Sequence, residues 1–118
     1  MPESEAQVAA KFEIKKSTDE QFYFNLLATN GQVILTSERY KDRRGAQAGI
    51  RSVRTNAAKE ARFDTRVGKD GKPYFALKAT NGQDIGRSQI YSSAHSMRRG
   101  IASVQRNAPD ARVEDLSA

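Results

Sequence analysis

The sequence contains no cysteine, no tryptophan and a single histidine, His95. Without cysteine the chain cannot form a disulfide or a thiolate metal site, and one histidine cannot supply a metal site of ordinary spacing. No apolar run approaches the roughly 20 residues that span a bilayer. The acidic, polar start of the chain lacks the pattern of a secretory signal. We therefore expect a cytoplasmic protein with no cofactor, no metal and no membrane contact.

A tandem repeat dominates what the sequence does contain. The stretch Ala28-Thr29-Asn30-Gly31-Gln32 recurs 51 residues later as Ala79-Thr80-Asn81-Gly82-Gln83, and each copy follows an aromatic run. Further matches continue on both sides with no gap, which is the mark of a repeated structural unit. A unit of about 50 residues buries too little surface on folding to be more than marginally stable alone. The two copies are therefore expected to share one core.

Each repeat reads as three strands, a helix and a further strand. Alternating apolar and polar residues predict strands from Phe12, from Phe22 to Thr29 and from Val33 to Thr36. The stretch 61–67 is also extended; it closes the first repeat and opens the second. Asn-Gly pairs favour two-residue type I′ turns, because that turn needs positive φ at both central residues. Asn30, Gly31, Asn81 and Gly82 are accordingly interpreted as structural turn residues.

A change in the spacing of the apolar residues predicts one helix in each repeat. Apolar residues recur at spacings of four, three and four in each repeat, as expected for one buried helix face. The first stripe is Ala46, Ile50, Val53 and Ala57; the second is Met97, Ile101, Val104 and Ala108. Asp42 is the predicted N-cap of the first helix, and Ser92 or Ser93 that of the second. Gly49 and Gly100 flank the stripes and predict a close approach between each helix and the sheet.

The repeated residues resemble the YegP-like family of small bacterial proteins, whose role is uncharacterised. The likeness rests on the aromatic strands, the Ala-Thr-Asn-Gly-Gln stretch, a Ser-x-x-Tyr motif and a Gly-Ile-x-Ser-Val helix. The motifs occur at Ser37 to Tyr40 and Gly49 to Val53, and again at Ser88 to Tyr91 and Gly100 to Val104. The resemblance implies tandem units joined in one sheet, with their C-terminal strands exchanged. It supplies no activity, ligand or site.

The expected fold class is α+β. Two β-β-β-α-β repeats form one antiparallel sheet that carries both helices on one face. A flexible leader, 1–10, precedes a single domain, 11–115, and a tail, 116–118. Repeat one covers 11–62 and repeat two 63–115.

No enzyme motif accompanies this architecture. The chain has no Gly-rich phosphate loop, nucleophile elbow or dinucleotide fingerprint. His95 is predicted on a helix surface, and its counterpart in the first repeat is Arg44, so no shared chemistry requires an imidazole there. We therefore expect a non-enzymatic binding or protein-interaction module.

Three kinds of partner stay open. The net charge of +6 and the helix arginines Arg44, Arg51, Arg99 and Arg106 suit contact with nucleic-acid phosphates, and a solvated basic helix face is the alternative. The open sheet face, with Tyr23, Tyr74 and Lys78, suits stacked bases or a protein surface, including a homodimer. Free sheet edges also allow strand addition. Neither turn chemistry nor strand propensity explains Gln32 and Gln83, which leaves a hairpin cap or a paired ligand contact.

Overall fold

A computed structural model describes residues 9–117 of the chain. Most of the expected leader, and the last residue of the tail, lie outside the described residues. The elements, in chain order, are β1 Lys11–Lys16, β2 Phe22–Leu27, β3 Val33–Ser37, α1 Arg43–Asn56, a short 3₁₀ helix Glu60–Arg62, β4 Phe63–Val67, β5 Pro73–Lys78, β6 Asp84–Arg87, α2 Ala94–Asn107 and β7 Arg112–Asp115. The α+β architecture expected from the sequence is confirmed.

The seven strands form one sheet in the order β4-β5-β6-β3-β2-β1-β7. Neighbouring strands are antiparallel except β1 and β7, which run parallel. The prediction of a wholly antiparallel sheet is therefore wrong at this one pair. The chain reaches β7 from α2 by crossing from the second repeat to the first, and a crossover connection permits parallel alignment.

One C-terminal strand pairs with the other repeat. The C-terminal strand of the second repeat, β7, completes the sheet of the first repeat beside β1. The corresponding stretch of the first repeat makes no such crossing. It forms the 3₁₀ helix and then β4, which pairs with β5 as the first strand of repeat two.

A pseudo-twofold axis passes through the centre of the sheet. β3 and β6 meet there in antiparallel register, and Thr36 lies opposite Arg87, its own counterpart 51 residues later. A residue that pairs with its own counterpart marks the axis that exchanges the two repeats. The axis also places the hairpin of each repeat beside the helix of the other.

Both helices cover the same face of the sheet, as expected. The two predicted stripes are buried along their whole length, and they pack on aromatic and aliphatic strand residues that are fully buried, including Phe12, Phe24, Leu26, Phe75 and Leu77. The predicted N-cap Asp42 accepts a hydrogen bond from the Gly45 N–H at 2.7 Å. Of the two serines considered for α2, Ser93 is the cap, and its Oγ accepts from the Ser96 N–H at 3.1 Å.

The Asn-Gly turns are present, but the predicted type I′ geometry is wrong. The Gly31 N–H donates to the Ala28 carbonyl at 2.9 Å, and only Gly31 has positive φ. This is a type I turn followed by a glycine in the left-handed region, a common three-residue hairpin loop. Asn30 is selected instead by its side chain, whose Oδ1 accepts from the Gln32 N–H at 3.0 Å. Asn81 and Gly82 repeat the arrangement.

Within the described part of the chain, no helix has the length and apolar character needed to cross a membrane.

Candidate functional site

Most of the repeated motif residues have structural roles. Ser37 Oγ accepts a hydrogen bond from the buried Phe24 N–H at 2.9 Å and donates to the Glu38 carbonyl at 2.7 Å. The Tyr40 ring stacks on Phe24 with centroids 6.3 Å apart, and it lies over Gly49 of α1. Ser88, Tyr91 and Gly100 repeat this cluster. The Ser-x-x-Tyr and Gly-Ile motifs are thus one packing unit used twice.

The two tyrosines predicted on the open sheet face do not form one platform. Tyr23 lies on β2 and Tyr74 on β5, and β3 and β6 separate them. Three strand spacings correspond to about 14 Å. Both rings are half-buried, and the Arg39 guanidinium lies over the Tyr23 ring, 5.7 Å from its centroid. The arrangement offers two separate aromatic positions and no continuous stack.

Ion pairs cover much of that open face. The Arg66 guanidinium contacts Asp64 at 2.8 Å and makes a two-point contact with Asp84 at 2.9 Å. These hydrogen bonds raise the pKa of Arg66 and lower that of the Asp84 carboxyl. Lys78 Nζ lies 3.9 Å from Asp64, and Glu13 pairs in the same way with Lys11 and Lys15. The cationic groups of this face are therefore partly neutralised by the sheet itself.

The four helix arginines fall into two unlike settings. All four are exposed, as predicted. Arg44 and Arg51 belong to α1, and Arg51 borders a small surface depression beside β7. Arg99 and Arg106 of α2 line a groove together with the hairpin of the first repeat. The structure therefore separates the predicted set and brings only Arg99 and Arg106 to a common concave site.

Two grooves related by the pseudo-twofold axis lie between each helix and the hairpin of the other repeat. The first, about 720 Å³, is bounded by α1 and by Asn81 and Gln83. The second, about 330 Å³, is bounded by α2 and by Asn30 and Gln32. The glutamines that turn chemistry left unexplained therefore line the grooves. Tyr40 and Tyr91 form part of the walls, and burial raises the pKa of both phenols.

The grooves differ in charge. The first has acidic and basic groups together: Glu38, Arg39, Asp84 and Arg87. The second is lined by Arg99 and Arg106, and no carboxylate is among its described lining residues. Position by position, the repeat replaces Glu38 with Gln89 and Ala48 with Arg99. The smaller groove is therefore cationic and the larger one is close to balanced.

The outer edge of β4 presents backbone hydrogen-bonding groups. The Phe75 N–H and carbonyl are bonded to Ser88 on the β6 side. Phe75 and Thr65 are directly opposite in the β4–β5 pair, so they form a non-hydrogen-bonded pair and the Thr65 backbone groups point outward. Among residues 9–117 no strand pairs with this edge. In the first repeat the counterpart Ile14 carbonyl accepts from the Leu116 N–H at 2.8 Å.

A side-chain groove of about 370 Å³ accompanies the β4 edge. Its apolar lining residues include Phe63, Val67, Met97 and Ile101, and Arg98 also lines it. Phe63 is half-buried, whereas its counterpart Phe12, on the strand that pairs with β7, is completely buried and has the Arg54 guanidinium over its ring. Val67 is 69% exposed. The position that β7 fills in the first repeat is therefore unfilled by any described residue in the second.

His95 is exposed on the first turn of α2, as predicted. In the described range 9–117, no three histidine, cysteine, aspartate or glutamate residues are grouped so that they could hold a metal ion.

Comparison with known proteins gives a consistent result. A family model described as "Domain of unknown function (DUF1508)" matches the chain twice, at residues 17–64 and 69–115. The UPF0339 protein PM0519 of Pasteurella multocida is 53% identical over 106 residues, which covers 90% of this chain and 93% of that protein. The UPF0339 protein YegP of Escherichia coli is 48% identical over 108 residues and covers 92% and 98% of the two chains.

Two solved structures have the same fold. The solution NMR structure of YegP, titled a protein of unknown function, superposes with a TM-score of 0.88 at 47% identity, and covers 94% of this chain and 96% of that chain. The solution NMR structure of UPF0339 protein SO3888 from Shewanella oneidensis superposes with a TM-score of 0.86 at 49% identity, and covers 92% of each chain.

Proposed function

Since the chain belongs to the UPF0339 family of DUF1508 repeat proteins, whose family description assigns no activity, we propose its function from geometry. The protein is a non-enzymatic interaction module that binds an extended segment of a partner protein along the outer edge of β4. The observation that carries this proposal is a difference between the two repeats at their outer sheet edges. The first has its edge completed by β7, and no strand among residues 9–117 pairs with the same edge of the second.

The β4 edge supplies affinity through its backbone. Main-chain hydrogen bonds to an added strand are largely independent of the partner's sequence, and adjacent side-chain pockets give specificity. The outward-facing Thr65 groups correspond to the Ile14 groups that β7 uses. The internal template runs parallel to β1, so the added strand is expected to run parallel to β4.

The adjoining groove favours an apolar side chain at the centre of the added strand. In the first repeat, Val113 of β7 lies beside Ile50 and Gln47 of α1. Their counterparts, Ile101 and Arg98, border the vacant groove. Met97 replaces Ala46 at its base, and methionine is a flexible side chain that adapts to different partners.

The charges near the edge favour an acidic residue after the apolar one. Glu114 of β7 pairs with Lys11 at 2.8 Å, and the counterpart of Lys11 is Arg62, the residue directly before β4. The partner segment is therefore expected to resemble β7 itself: extended, with a valine-like residue followed by a carboxylate.

A peptide with the sequence of residues 109–117 is the most direct probe. Its fluorescence anisotropy should rise saturably when the intact protein is added. Thr65→Pro removes the outward N–H without removing a bond to β5, and should abolish binding. Thr65→Ala retains the N–H and should bind normally. Thermal unfolding of both variants checks that they are folded.

Three results would contradict the proposal. The first is no saturable binding of the peptide, and the second is equal binding by Thr65→Pro and Thr65→Ala. The third is a concentration-dependent doubling of the 13.1 kDa mass that Thr65→Pro removes, because the edge would then belong to a homodimer.

A further inference from the structure

We propose that the groove between α2 and the first hairpin is a binding site for phosphoryl groups, and that its pseudo-symmetric counterpart is not. This site is separate from the β4 edge and does not depend on the peptide-binding proposal. It rests on the asymmetric charge of two grooves that otherwise share their architecture.

The spacing of two arginines on α2 supports a phosphoryl site. Arg99 and Arg106 are seven residues apart on α2, so their Cα atoms are about 10 Å apart along one helix face. Guanidinium groups donate paired hydrogen bonds that match the oxygens of a phosphate. Two of them on one wall of a concave site suit an anion with two phosphoryl groups, or two neighbouring phosphates of a strand.

The remaining polar groups of the groove are able to donate to the same oxygens. Ser103 Oγ accepts from Asn107 Nδ2 at 3.1 Å, which leaves its hydroxyl proton available. Asn30 and Gln32 are exposed on the hairpin side and bring side-chain amides to the opposite wall. This assigns the repeated glutamine a role as a donor contributed by one repeat to a ligand held by the helix of the other.

The charged residues of the first groove explain why only the second groove is proposed as a phosphoryl site. Glu38 and Asp84 are among the lining residues of the first groove together with Arg39 and Arg87, so its charged residues balance, whereas the second groove has two arginines and no carboxylate among its described lining residues. The arginines of the first groove are already engaged, since Arg87 lies 3.8 Å from Glu38 and Arg39 covers the Tyr23 ring. The first groove therefore offers an anion no net positive charge, and the second offers it two arginines.

The test is a titration of the intact protein with sodium pyrophosphate, followed by backbone amide chemical shifts. Saturable shifts are expected at Gln32, Ser96 and Ser103, with none at Gln83 or Ser52. Arg99→Gln with Arg106→Gln should weaken binding by about tenfold or more, since charge-assisted hydrogen bonds carry that much. The matched control, Arg44→Gln with Arg51→Gln, removes the same charge from α1 and should bind as the unaltered protein does.

Orthophosphate and a short oligothymidylate, titrated in the same way, distinguish the source of the phosphoryl group. Stronger shifts at the same amides with the oligonucleotide identify a nucleic-acid backbone, and stronger shifts with pyrophosphate identify a small phosphorylated ligand. Either result supports the site. Absence of saturable shifts with all three, or equal weakening by both double substitutions, overturns it.

Discussion

Gly49 of α1 lies directly beneath the ring of Tyr40. A Cβ atom at this position would come within 2.8 Å of Tyr40 Cζ and 2.9 Å of Phe24 Cε2. Gly100 has the same relationship with Tyr91, at 2.6 Å from Cζ. The glycine that interrupts each amphipathic helix is therefore the complement of the tyrosine that ends each Ser-x-x-Tyr motif.

Gly49→Ala is expected to destabilise the protein although alanine is the better helix former. The gain in helix propensity is about 1 kcal/mol, and overpacking against the ring costs about 1–3 kcal/mol. Tyr40→Ala removes one of the two obstructing rings and gives the Phe24 ring room to move, so Gly49→Ala should be less destabilising in that variant than in the unaltered protein. Urea unfolding of the two single variants and the double variant measures the coupling. Additive effects would show that the glycine and the ring do not oppose one another.

Glu20→Gly is expected to stabilise the protein. Glu20 has a φ of 68° in the hairpin between β1 and β2, where the second repeat has Gly71 with a φ of 80°. A residue with a Cβ in the left-handed conformation costs about 1–2 kcal/mol, partly offset by the unfolded-state entropy of glycine. The Lys16–Glu20 pair that is lost is exposed and contributes little.

The reverse change supplies the control for this turn. Gly71→Glu should lower the free energy of unfolding by about 1–2 kcal/mol, since it introduces the same backbone penalty. Thermal unfolding of the two variants should move in opposite directions. A fall in stability for Glu20→Gly would show that Glu20 makes a contribution beyond its turn.

The contact between Arg66 and Asp84 predicts a loss of stability in acid. Arg66 lowers the pKa of the Asp84 carboxyl in the folded state, so the contribution is present above the unfolded pKa of about 3.9 and is lost as the pH falls through the folded value. Asp84→Asn should lower the stability at pH 7 and flatten its dependence on pH between about 5 and 2. Chemical unfolding at several pH values measures both effects. If the pH dependence of the free energy of unfolding were the same in Asp84→Asn as in the unaltered protein, Asp84 would not contribute to the loss of stability in acid.

The sequence was sufficient to predict the elements, the two helix faces and the shared core. Those features follow from local periodicity and from a repeat whose counterparts occupy equivalent places. The turn type differs from the prediction because Asn-Gly pairs occur in two kinds of hairpin, and the hydrogen bond that the Gln32 N–H donates to Asn30 Oδ1 favours the three-residue loop. The parallel β1–β7 pair depends on a crossover between distant segments, which no local pattern encodes.

The candidate sites were harder to predict for the same reason. Each groove joins the hairpin of one repeat to the helix of the other, so Gln32 and Arg99 become neighbours only through the pseudo-twofold axis. The β4 edge had a weak signal in the sequence. Lys11 and Arg43 form ion pairs with β7 in the first repeat, and their counterparts in the second repeat are Arg62 and Ala94. Ala94 cannot form the ion pair that Arg43 forms, which agrees with the lack of a described strand beside β4.

Amide hydrogen exchange at Thr65 and Ile14 tests the central claim most directly. The Ile14 backbone is paired with β7, and no strand of residues 9–117 pairs with the outer side of β4 at Thr65, so Thr65 should exchange much faster in the free protein. A saturating amount of the 109–117 peptide should slow exchange at Thr65 and leave Ile14 unchanged. Equal protection of the two amides in the free protein, or no slowing at Thr65 with the peptide, would contradict the account.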